Sequence, residues 1–258
     1  MEKIQLDSKN TIVIADFDGT FTKKGIKGGR GSALMDILRD KKYLGESGLK
    51  ECRDLFDYYY PIEFDPSLDE KEKMFLMQEW WEKSFAVIKE SGVTRDMLLE
   101  ICHSPLLEWR DQLLDFLKLL HEKEIPLIIF SASGFGNLVI KYLLEKENLF
   151  TSNVKIFSNE VIFDEKNCLL EMVKPIVHTS NKTGDLLIKN NLLDASLERR
   201  HCLLIGDGLD DVKMSKGIDF DFIYKVAFGS NNFEHFKKVF DLVLPIDGSY
   251  KEIIDLFD

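Results

Sequence analysis

The stretch IADFDGTFTK, residues 14 to 23, places two carboxylates, Asp16 and Asp18, one residue apart. They directly follow the apolar run Thr11–Ala15, whose length and β-branched residues predict a buried strand. Two carboxylates at this spacing repel each other, so they either point into water or have a cation nearby. Gly19 favours a turn immediately after the pair. The stretch therefore predicts a buried strand with two acidic side chains at its end.

Further apolar runs along the chain carry the same strand signal. They are Pro126–Phe130, Val154–Phe157, Cys202–Ile205, Phe222–Ala227 and Leu242–Pro245. Helical patterns such as Gln112–Lys123 and Asn137–Glu147 lie between several of them, and this alternation predicts a mostly parallel sheet with helices on both faces. Val161–Phe163 and Leu169–Met172 indicate a hairpin outside that sheet. The expected fold class is α/β, with a doubly wound, mostly parallel sheet.

Residues 25–108 show helical patterns and no clear strand, although they lie between the first and second predicted strands. A connection of this length is too long for a turn and requires a folded unit of its own. We expect an α/β core, formed by residues 1–24 and 109–258, that carries an inserted, mainly helical cap for substrate specificity.

Two prolines divide the predicted cap. Pro61 is expected to end the first long helix, because the residue before a proline disfavours the helical region, and Glu63 is then in a non-helical connector. After Pro66, the pattern Ser67–Glu70 predicts a capping box that opens a helix extending to Glu90. One face of that helix is expected to carry Met74, Met77, Trp81, Ser84 and Ile88.

The composition limits the partners that we expect. The formal net charge of −11 repels polyanions, which argues against a nucleic acid polymer or an anionic membrane surface. The longest apolar runs fall far short of the ~20 residues that cross a bilayer, and the first residues lack the apolar segment of a secretory signal. Four widely separated cysteines are expected to be reduced thiols. We expect a cytoplasmic monomer acting on a small molecule.

Four polar clusters follow predicted strand ends or precede a helix. They are Asp16–Asp18, Ser131–Gly134, Asn181–Thr183 and Gly206–Asp211. Parallel α/β sheets bind ligands at the carboxyl ends of their strands, so these clusters are expected to converge. Each cluster alone is an ordinary turn or surface sequence, but together they supply the groups that phosphoryl transfer needs. Asp16 and Asp207 are candidate Mg²⁺ ligands, and Ser131 and Lys182 are candidate contacts to the phosphoryl oxygens.

This order of acid pair, serine, lysine and second acid pair resembles the haloacid dehalogenase-like phosphatases, whose Asp-x-Asp-x-Thr motif matches Asp16, Asp18 and Thr20. The resemblance implies that Asp16 is the nucleophile that forms an aspartyl-phosphate. It implies that Asp18 is the general acid and base, and that its backbone carbonyl ligates Mg²⁺. Asp211 is expected to support the metal site, by accepting hydrogen bonds or by holding the lysine, and Asp210 is the alternative for that role.

Further motifs resemble the cytosolic 5'-nucleotidase III, or pyrimidine 5'-nucleotidase, family over nearly the whole chain. They are YYYPIEFDP, EWWEKS, NVKIFSNEVIFDE, HTSNK and LLIGDGLDDVKMSKG. The resemblance implies that Glu63 contacts the base, that Ser84 assists substrate binding and that Ser131 and Ala132 bind the phosphate. The chain departs from the family's usual pattern at Gly19, where the family commonly has methionine.

The resemblance implies a Mg²⁺-dependent phosphatase that releases phosphate from nucleoside 5'-monophosphates, with pyrimidine nucleotides preferred. Phosphate transfer to a nucleoside is an expected side activity of the same intermediate. Two alternatives stay open at this point. The first keeps the chemistry but acts on another small metabolite, such as a sugar phosphate or phosphoserine. The second is a non-hydrolytic phosphoacceptor switch, which the long cap and the position of Asp18 disfavour.

Overall fold

The computed structural model describes residues 4–24, 33–63, 65, 67–193, 198–229 and 233–257. The strands are β1 (Thr11–Ala15), β2 (Leu127–Phe130), β3 (Val154–Phe157), β4 (Val161–Phe163), β5 (Leu169–Met172), β6 (His201–Gly206), β7 (Phe222–Gly229) and β8 (Leu242–Pro245). The α-helices are α1 (Leu34–Asp40), α2 (Gly45–Glu63), α3 (Glu70–Glu90), α4 (Arg95–Glu100), α5 (Leu113–Glu122), α6 (Gly136–Lys146), α7 (Gly184–Lys189), α8 (Phe233–Phe236) and α9 (Lys251–Ile254). Short 3₁₀ helices span Ile101–His103 and Leu209–Ser215.

Six strands form one sheet in the order β3-β2-β1-β6-β7-β8, and every pairing within it is parallel. The predicted α/β fold class is therefore confirmed. Strand β1 is central: Ile14 lies opposite Ile128 of β2 on one side and Leu204 of β6 on the other. The chain winds outward in opposite directions from β1 and β6. The crevice between their carboxyl ends is thus the topological switch point, where such sheets bind ligands.

Both faces of the sheet are buried, which explains the almost continuous apolar sequence of its strands. Val13 and Ala15 of β1 face a core cluster that includes residues of α5, α6 and α9. Ile12 and Ile14 face the opposite cluster, which includes residues of α7 and α8. Burying such a side chain contributes about 1.5–3 kcal/mol, so the strand register is strongly fixed.

Strands β4 and β5 form the separate antiparallel hairpin that the sequence predicts. The hairpin packs beside the inserted helices: the backbone N–H of Leu169 donates to the carbonyl of Val93, at 2.9 Å. The backbone N–H of Arg95 donates to the carbonyl of Asn167, also at 2.9 Å. The inserted helices are thus covered by a segment from much later in the chain.

The two connections between the sheet and the inserted helices run side by side. Thr22 and Trp109 form an antiparallel bridge. The backbone N–H of Lys23 donates to the carbonyl of Glu108 at 2.8 Å, and that of Arg110 donates to Phe21 at 2.9 Å. The division into a core and a cap stays a prediction, and its first boundary borders residues 25–32, which lie outside the described residues.

The structure corrects the prediction for Pro61. Helix α2 continues through Pro61 to Glu63, so Pro61 does not end it and Glu63 is not in a non-helical connector. Tyr59 is buried, and its ring stacks on Trp80 of α3 at 6.0 Å, which holds the last turn of α2 in place. Pro61 is only two residues from the end of α2, so the free energy that a proline costs in a helix is reduced there. The packing of Tyr59 outweighs what remains of it.

Helix α3 ends at Glu90 as predicted, but its N-cap differs from the prediction. Asp69, rather than Ser67, caps the helix by accepting hydrogen bonds from the backbone N–H groups of Lys71 and Glu72, at 2.8 and 2.9 Å. The Ser67 hydroxyl donates instead to Asp65. Aspartate is as strong an N-cap as serine, and Asp69 directly precedes the first residue of the helix.

The face of α3 that the residue spacing predicts is largely buried. Met77, Ser84 and Ile88 are buried and Trp81 is half-buried, whereas Met74 is 41% exposed. The four cysteines are free thiols. Within the described ranges, every helix is too short or too polar to span a bilayer.

Candidate active site

The first and last acidic clusters meet at the switch point of the sheet. The backbone N–H of Asp16 donates to the carbonyl of Ile205 at 3.0 Å, which extends the pairing of β1 with β6 by one residue. Asp207 directly follows β6. Carboxylate oxygens of Asp16, Asp207 and Asp211 lie within 4.8 Å of one another. The fold thus concentrates negative charge at one point, as a cation site requires.

Lys182 lies inside this acidic group. Its Nζ is 2.5 Å from Oδ1 of Asp16 and 2.9 Å from Oδ1 of Asp211. Only 5% of Lys182 is exposed, so its charge is poorly hydrated and depends on these two partners. The carboxylates outweigh the effect of burial and raise the pKa of Lys182. The lysine is therefore a fixed cation beside Asp16.

Asp211 accepts hydrogen bonds at both oxygens. Oδ1 accepts from Lys182, and Oδ2 accepts from the backbone N–H groups of Asp207 and Gly208, at 3.0 and 2.9 Å. Asp210 instead pairs with Lys213 at the surface, at 2.7 Å. Asp211, rather than Asp210, therefore holds the lysine and shapes the loop that carries Asp207.

Burial changes the acidity of the first pair. Desolvation raises the pKa of Asp16 to about 7, although Lys182 opposes the rise. Desolvation and the neighbouring Asp16 charge raise the pKa of Asp18 to about 8, while the backbone N–H of Leu34, 3.2 Å from Oδ1, opposes that rise. Thr20 donates to Oδ2 of Asp16 at 3.2 Å. Asp18 is thus mostly protonated at neutral pH, which is the form that a general acid needs.

These pKa values predict how stability depends on pH in a chelating buffer. Asp16 and Asp18 retain protons in the folded chain at a pH where the unfolded chain has lost them, so stability falls as pH rises from about 4 and levels off above about 7 to 8. We expect the free energy of unfolding, measured with urea in EDTA, to fall between pH 6.5 and 8 and then level off. Burial lowers the pKa of His178 to about 4, so its titration changes the free energy of unfolding only below about pH 6.5. Asp18→Asn should make the slope shallower, and a flat profile would contradict the prediction.

Lys24 is a site residue that the sequence analysis missed. Its ammonium contacts Oδ2 of Asp207. Burial disfavours this cation, but Asp207 outweighs burial and raises the pKa of Lys24. Gly19 makes the close approach possible: its φ is +80°, and a Cβ there would lie 2.4 Å from Oδ2 of Asp207. No motif distinguishes Lys24 from the other basic residues of the sequence.

Arg110 is a second residue that the sequence analysis missed. It is 2% exposed, and its guanidinium donates to the carbonyls of Gly19, Thr20 (2.9 Å) and Ile246 (2.7 Å). Its Cζ lies 3.7 Å from the ring centroid of Phe228. Arg110 therefore fixes the backbone just after Asp18. The available signal was a lone arginine a few residues before a strongly apolar helix.

The predicted phosphate contacts lie beside Asp16, because β2 is the neighbour of β1. Ser131 directly follows β2, is 1% exposed, and extends the β2–β3 pairing by donating its backbone N–H to Phe157 at 3.0 Å. Its Oγ accepts from the backbone N–H of Ser133 at 3.1 Å. Ala132 lies between them and is half-buried. We call Ser131–Gly134 the phosphate loop.

The inserted helices approach this loop. A Cβ built on Gly134 would lie 2.8 Å from Cζ3 of Trp81, so the indole covers the end of the phosphate loop. Ser84 is buried on α3, three residues after Trp81. Glu63 is half-buried: desolvation raises its pKa, and the hydroxyl of Thr179 opposes the rise. The structure therefore places Glu63 against the segment that leads to the buried lysine.

The chain is similar to known proteins over most of its length. The sequence model of the family described as Pyrimidine 5'-nucleotidase (UMPH-1) matches residues 19–257. A Xenopus laevis protein named 7-methylguanosine phosphate-specific 5'-nucleotidase B is 32% identical over 240 residues, which cover 91% of this chain and 82% of that protein. The crystal structure of cytosolic 5'-nucleotidase IIIB bound to cytidine has a TM-score of 0.77 at 27% identity, covering 96% of this chain and 85% of that one. A phosphoserine phosphatase, solved as a phospho-aspartyl intermediate analogue, shares the fold with a TM-score of 0.58 at 16% identity, covering 97% and 100%.

Proposed function

Because the chain belongs to the pyrimidine 5'-nucleotidase family, we propose that it hydrolyses nucleoside 5'-monophosphates through an aspartyl-phosphate on Asp16, with Mg²⁺ as cofactor and pyrimidine nucleotides preferred. The family and the fold make it a phosphoric monoester hydrolase. One observation carries the proposal: a buried carboxylate, Asp16, lies at the switch point between a buried lysine and a second acidic cluster. Membership of a 5'-nucleotidase family argues against the alternative of a non-hydrolytic switch.

The donor set fits Mg²⁺. Asp16 and Asp207 offer carboxylate oxygens, and the family resemblance adds the backbone carbonyl of Asp18 as a third oxygen donor, in keeping with the preference of Mg²⁺ for oxygen. The Lys24 ammonium on Asp207 indicates that this position accommodates a cation. Both oxygens of Asp211 are engaged by N–H groups, so Asp211 supports the site through the loop and the lysine. When bound, the metal neutralises phosphate charge and lessens the repulsion between the aspartates.

The residues of the chain divide the reaction into two displacements. In the first, an oxygen of Asp16 attacks phosphorus, while Lys182 and Ser131 hold phosphoryl oxygens and Asp18 donates its proton to the departing 5' oxygen. In the second, Asp18 accepts a proton from water as that water attacks the same phosphorus. Phosphate leaves and the Asp16 carboxylate is regenerated. The raised pKa of Asp18 suits both roles at neutral pH.

Glu63 is the residue that we propose selects the base. A partly desolvated carboxylate accepts hydrogen bonds from an exocyclic amine such as that of cytosine, and its burial strengthens the contact. The same carboxylate favours a second candidate substrate, 7-methylguanosine 5'-monophosphate, whose methylated base carries a positive charge beside its N–H donors. The name of the Xenopus laevis relative points to that substrate class. The two candidates differ in charge, so they can be separated directly.

A substrate panel tests the base assignment. We expect Glu63→Ala to lower kcat/KM for the preferred nucleotide about 10- to 100-fold, because a group left unpaired in such a pocket costs ~1–3 kcal/mol. An aryl phosphate, which has no base, should be nearly unaffected. The assay compares CMP, UMP, 7-methyl-GMP, GMP, AMP and the aryl phosphate, in Mg²⁺ and in EDTA. The matched control is Glu82→Ala, which removes a surface carboxylate of α3 that pairs with Lys174.

The outcomes of the panel separate the hypotheses. A preference for 7-methyl-GMP over GMP would select the charged base, and a preference for CMP and UMP would select pyrimidines. Equal losses on all substrates would mean that Glu63 supports the fold or the chemistry. Full activity in EDTA would exclude the metal. A wild type with no preference for nucleotides would leave only a general phosphatase, for sugar phosphates or phosphoserine.

We further propose that the enzyme acts in the cytoplasm as a monomer. The name of the solved cytosolic 5'-nucleotidase IIIB supports the location. The acidic charge and the position of all the proposed site residues in one chain agree with a small-molecule substrate that a single copy binds.

A further inference from the structure

Lys182 differs from the other proposed catalytic groups in how the fold holds it. Asp16, Ser131 and Asp207 each directly follow a strand of the large sheet, which fixes their backbone. Lys182 instead lies in the segment between β5, which belongs to the separate hairpin, and α7. Asp16 and Asp211 hold the side chain of this lysine, but the sheet does not fix its backbone, which requires another anchor.

Asn159 provides such an anchor. It follows β3, and it is fully buried, with 0% of its surface exposed. Its Oδ1 accepts from the backbone N–H of Val177 at 2.7 Å, and its Nδ2 donates to the carbonyl of the same residue at 2.8 Å. The carboxamide thus pairs with Val177 as a neighbouring strand would.

The same carboxamide also contacts the phosphate loop. The Nδ2 of Asn159 donates to the carbonyl of Ala132 at 3.3 Å. One buried side chain therefore joins the loop that follows β2 to the segment that precedes the buried lysine. Buried polar groups of this kind are costly unless they are paired, so the three hydrogen bonds act together.

The segment between Val177 and the lysine is braced internally, so a fixed Val177 determines where the lysine lies. Oδ1 of Asn181 accepts from the backbone N–H of His178 at 2.9 Å, and its Nδ2 donates to the carbonyl of Ile176 at 2.8 Å. The backbone N–H of Thr183 donates to the carbonyl of Asn181 at 2.8 Å. These hydrogen bonds join residues 176 to 183 into one turn.

We propose that Asn159 is a positioning residue that fixes the distance between the phosphate loop and Lys182, so that both reach the same phosphoryl group. The inference rests on the proposed phosphatase chemistry of this site. It concerns the phosphate alone, so it applies equally to every phosphate ester that the enzyme accepts, whatever its base. It differs in this respect from the role proposed for Glu63.

The test compares Asn159→Ala and Asn159→Asp with the wild type. Asp keeps the size and the acceptor for the N–H of Val177, but it removes both donated hydrogen bonds. We expect each variant to lower kcat/KM about 10- to 100-fold, equally for a nucleotide and for an aryl phosphate. The inhibition constant for orthovanadate, which resembles five-coordinate phosphorus, should rise by a similar factor.

Asn153→Ala is the matched control, because Asn153 precedes the same strand that Asn159 follows. Its Nδ2 donates to the carbonyl of Ile125 at 2.8 Å, at the opposite end of the sheet from the site. We expect this variant to lower Tm but to leave kcat/KM and orthovanadate inhibition unchanged. If the two alanine variants lose Tm to a similar extent but only Asn159→Ala loses activity, the loss of activity comes from positioning and not from lower stability.

The outcomes distinguish this inference from the proposed function. If Asn159→Asp folds and keeps kcat/KM and orthovanadate inhibition within about twofold of the wild type, the positioning role is wrong. If the losses occur for nucleotides but not for the aryl phosphate, Asn159 acts on the base and the inference is also wrong. A wild type that hydrolyses none of these esters would instead contradict the proposed function.

Discussion

Asp16→Asn is expected to lower kcat by about four orders of magnitude or more, which is roughly 5.4 kcal/mol of activation free energy. An amide oxygen is a poor nucleophile and cannot form the mixed anhydride with phosphate. Its shape is that of the carboxylate, so we expect the fold to be retained. Steady-state kinetics with an aryl phosphate measure the loss, and circular dichroism and Tm report on the fold.

Asp210→Asn is the control for this prediction. It makes the same chemical change at an exposed carboxylate that pairs with Lys213 beside the site. We expect wild-type kcat, because this carboxylate does not contact the buried cluster. If Asp16→Asn keeps more than about a tenth of the wild-type kcat, the nucleophile assignment is wrong.

Lys182→Met is expected to impair both activity and stability. Loss of a charged donor to the phosphoryl oxygens should reduce kcat about 10²- to 10³-fold. Loss of the buried cation leaves Asp16 and Asp211 uncompensated, at a cost of about 3–5 kcal/mol in unfolding free energy. The destabilisation should be smaller at pH 6 than at pH 8, because protonation of the aspartates at pH 6 removes part of the unpaired charge.

Urea denaturation at the two pH values and kinetics with an aryl phosphate test this prediction. Lys213→Met removes a partly exposed lysine from a surface pair, and we expect it to change stability by less than about 1 kcal/mol. Equal stability of wild type and Lys182→Met at pH 8 would show that Asp16 and Asp211 do not depend on the lysine for compensation.

The strands were predictable because their signal is local. Thr11–Ala15, Val154–Phe157 and Leu242–Pro245 have the bounds that their apolar runs predict. Burial on both faces of a parallel sheet imposes continuous apolar sequence, and the strand ends follow from it. This is why the polar residues that follow the strands, such as Asp16 and Asp207, could be singled out before the fold was known.

The wrong prediction and the missed residues depend on contacts between residues that are distant in sequence. Pro61 has a local preference to end a helix, but the stacking of Tyr59 on Trp80 of another helix outweighs it. Arg110 and Asn159 bond to carbonyls and amides that are distant in sequence, and backbone partners leave no trace in the sequence itself. Contacts of this kind depend on the completed fold.

The connections of Arg110 have a consequence for protein synthesis. Its guanidinium joins the carbonyl of Thr20, in the loop after Asp18, to the carbonyl of Ile246, which lies much later in the chain. Tyr250 adds a hydrogen bond to the carbonyl of Thr20 at 3.1 Å. The ribosome therefore makes the loop that follows the proposed nucleophile long before it makes the residues that hold this loop in shape. We expect a chain that is truncated before Ile246 to lack these hydrogen bonds and to be less active than the chain that retains them.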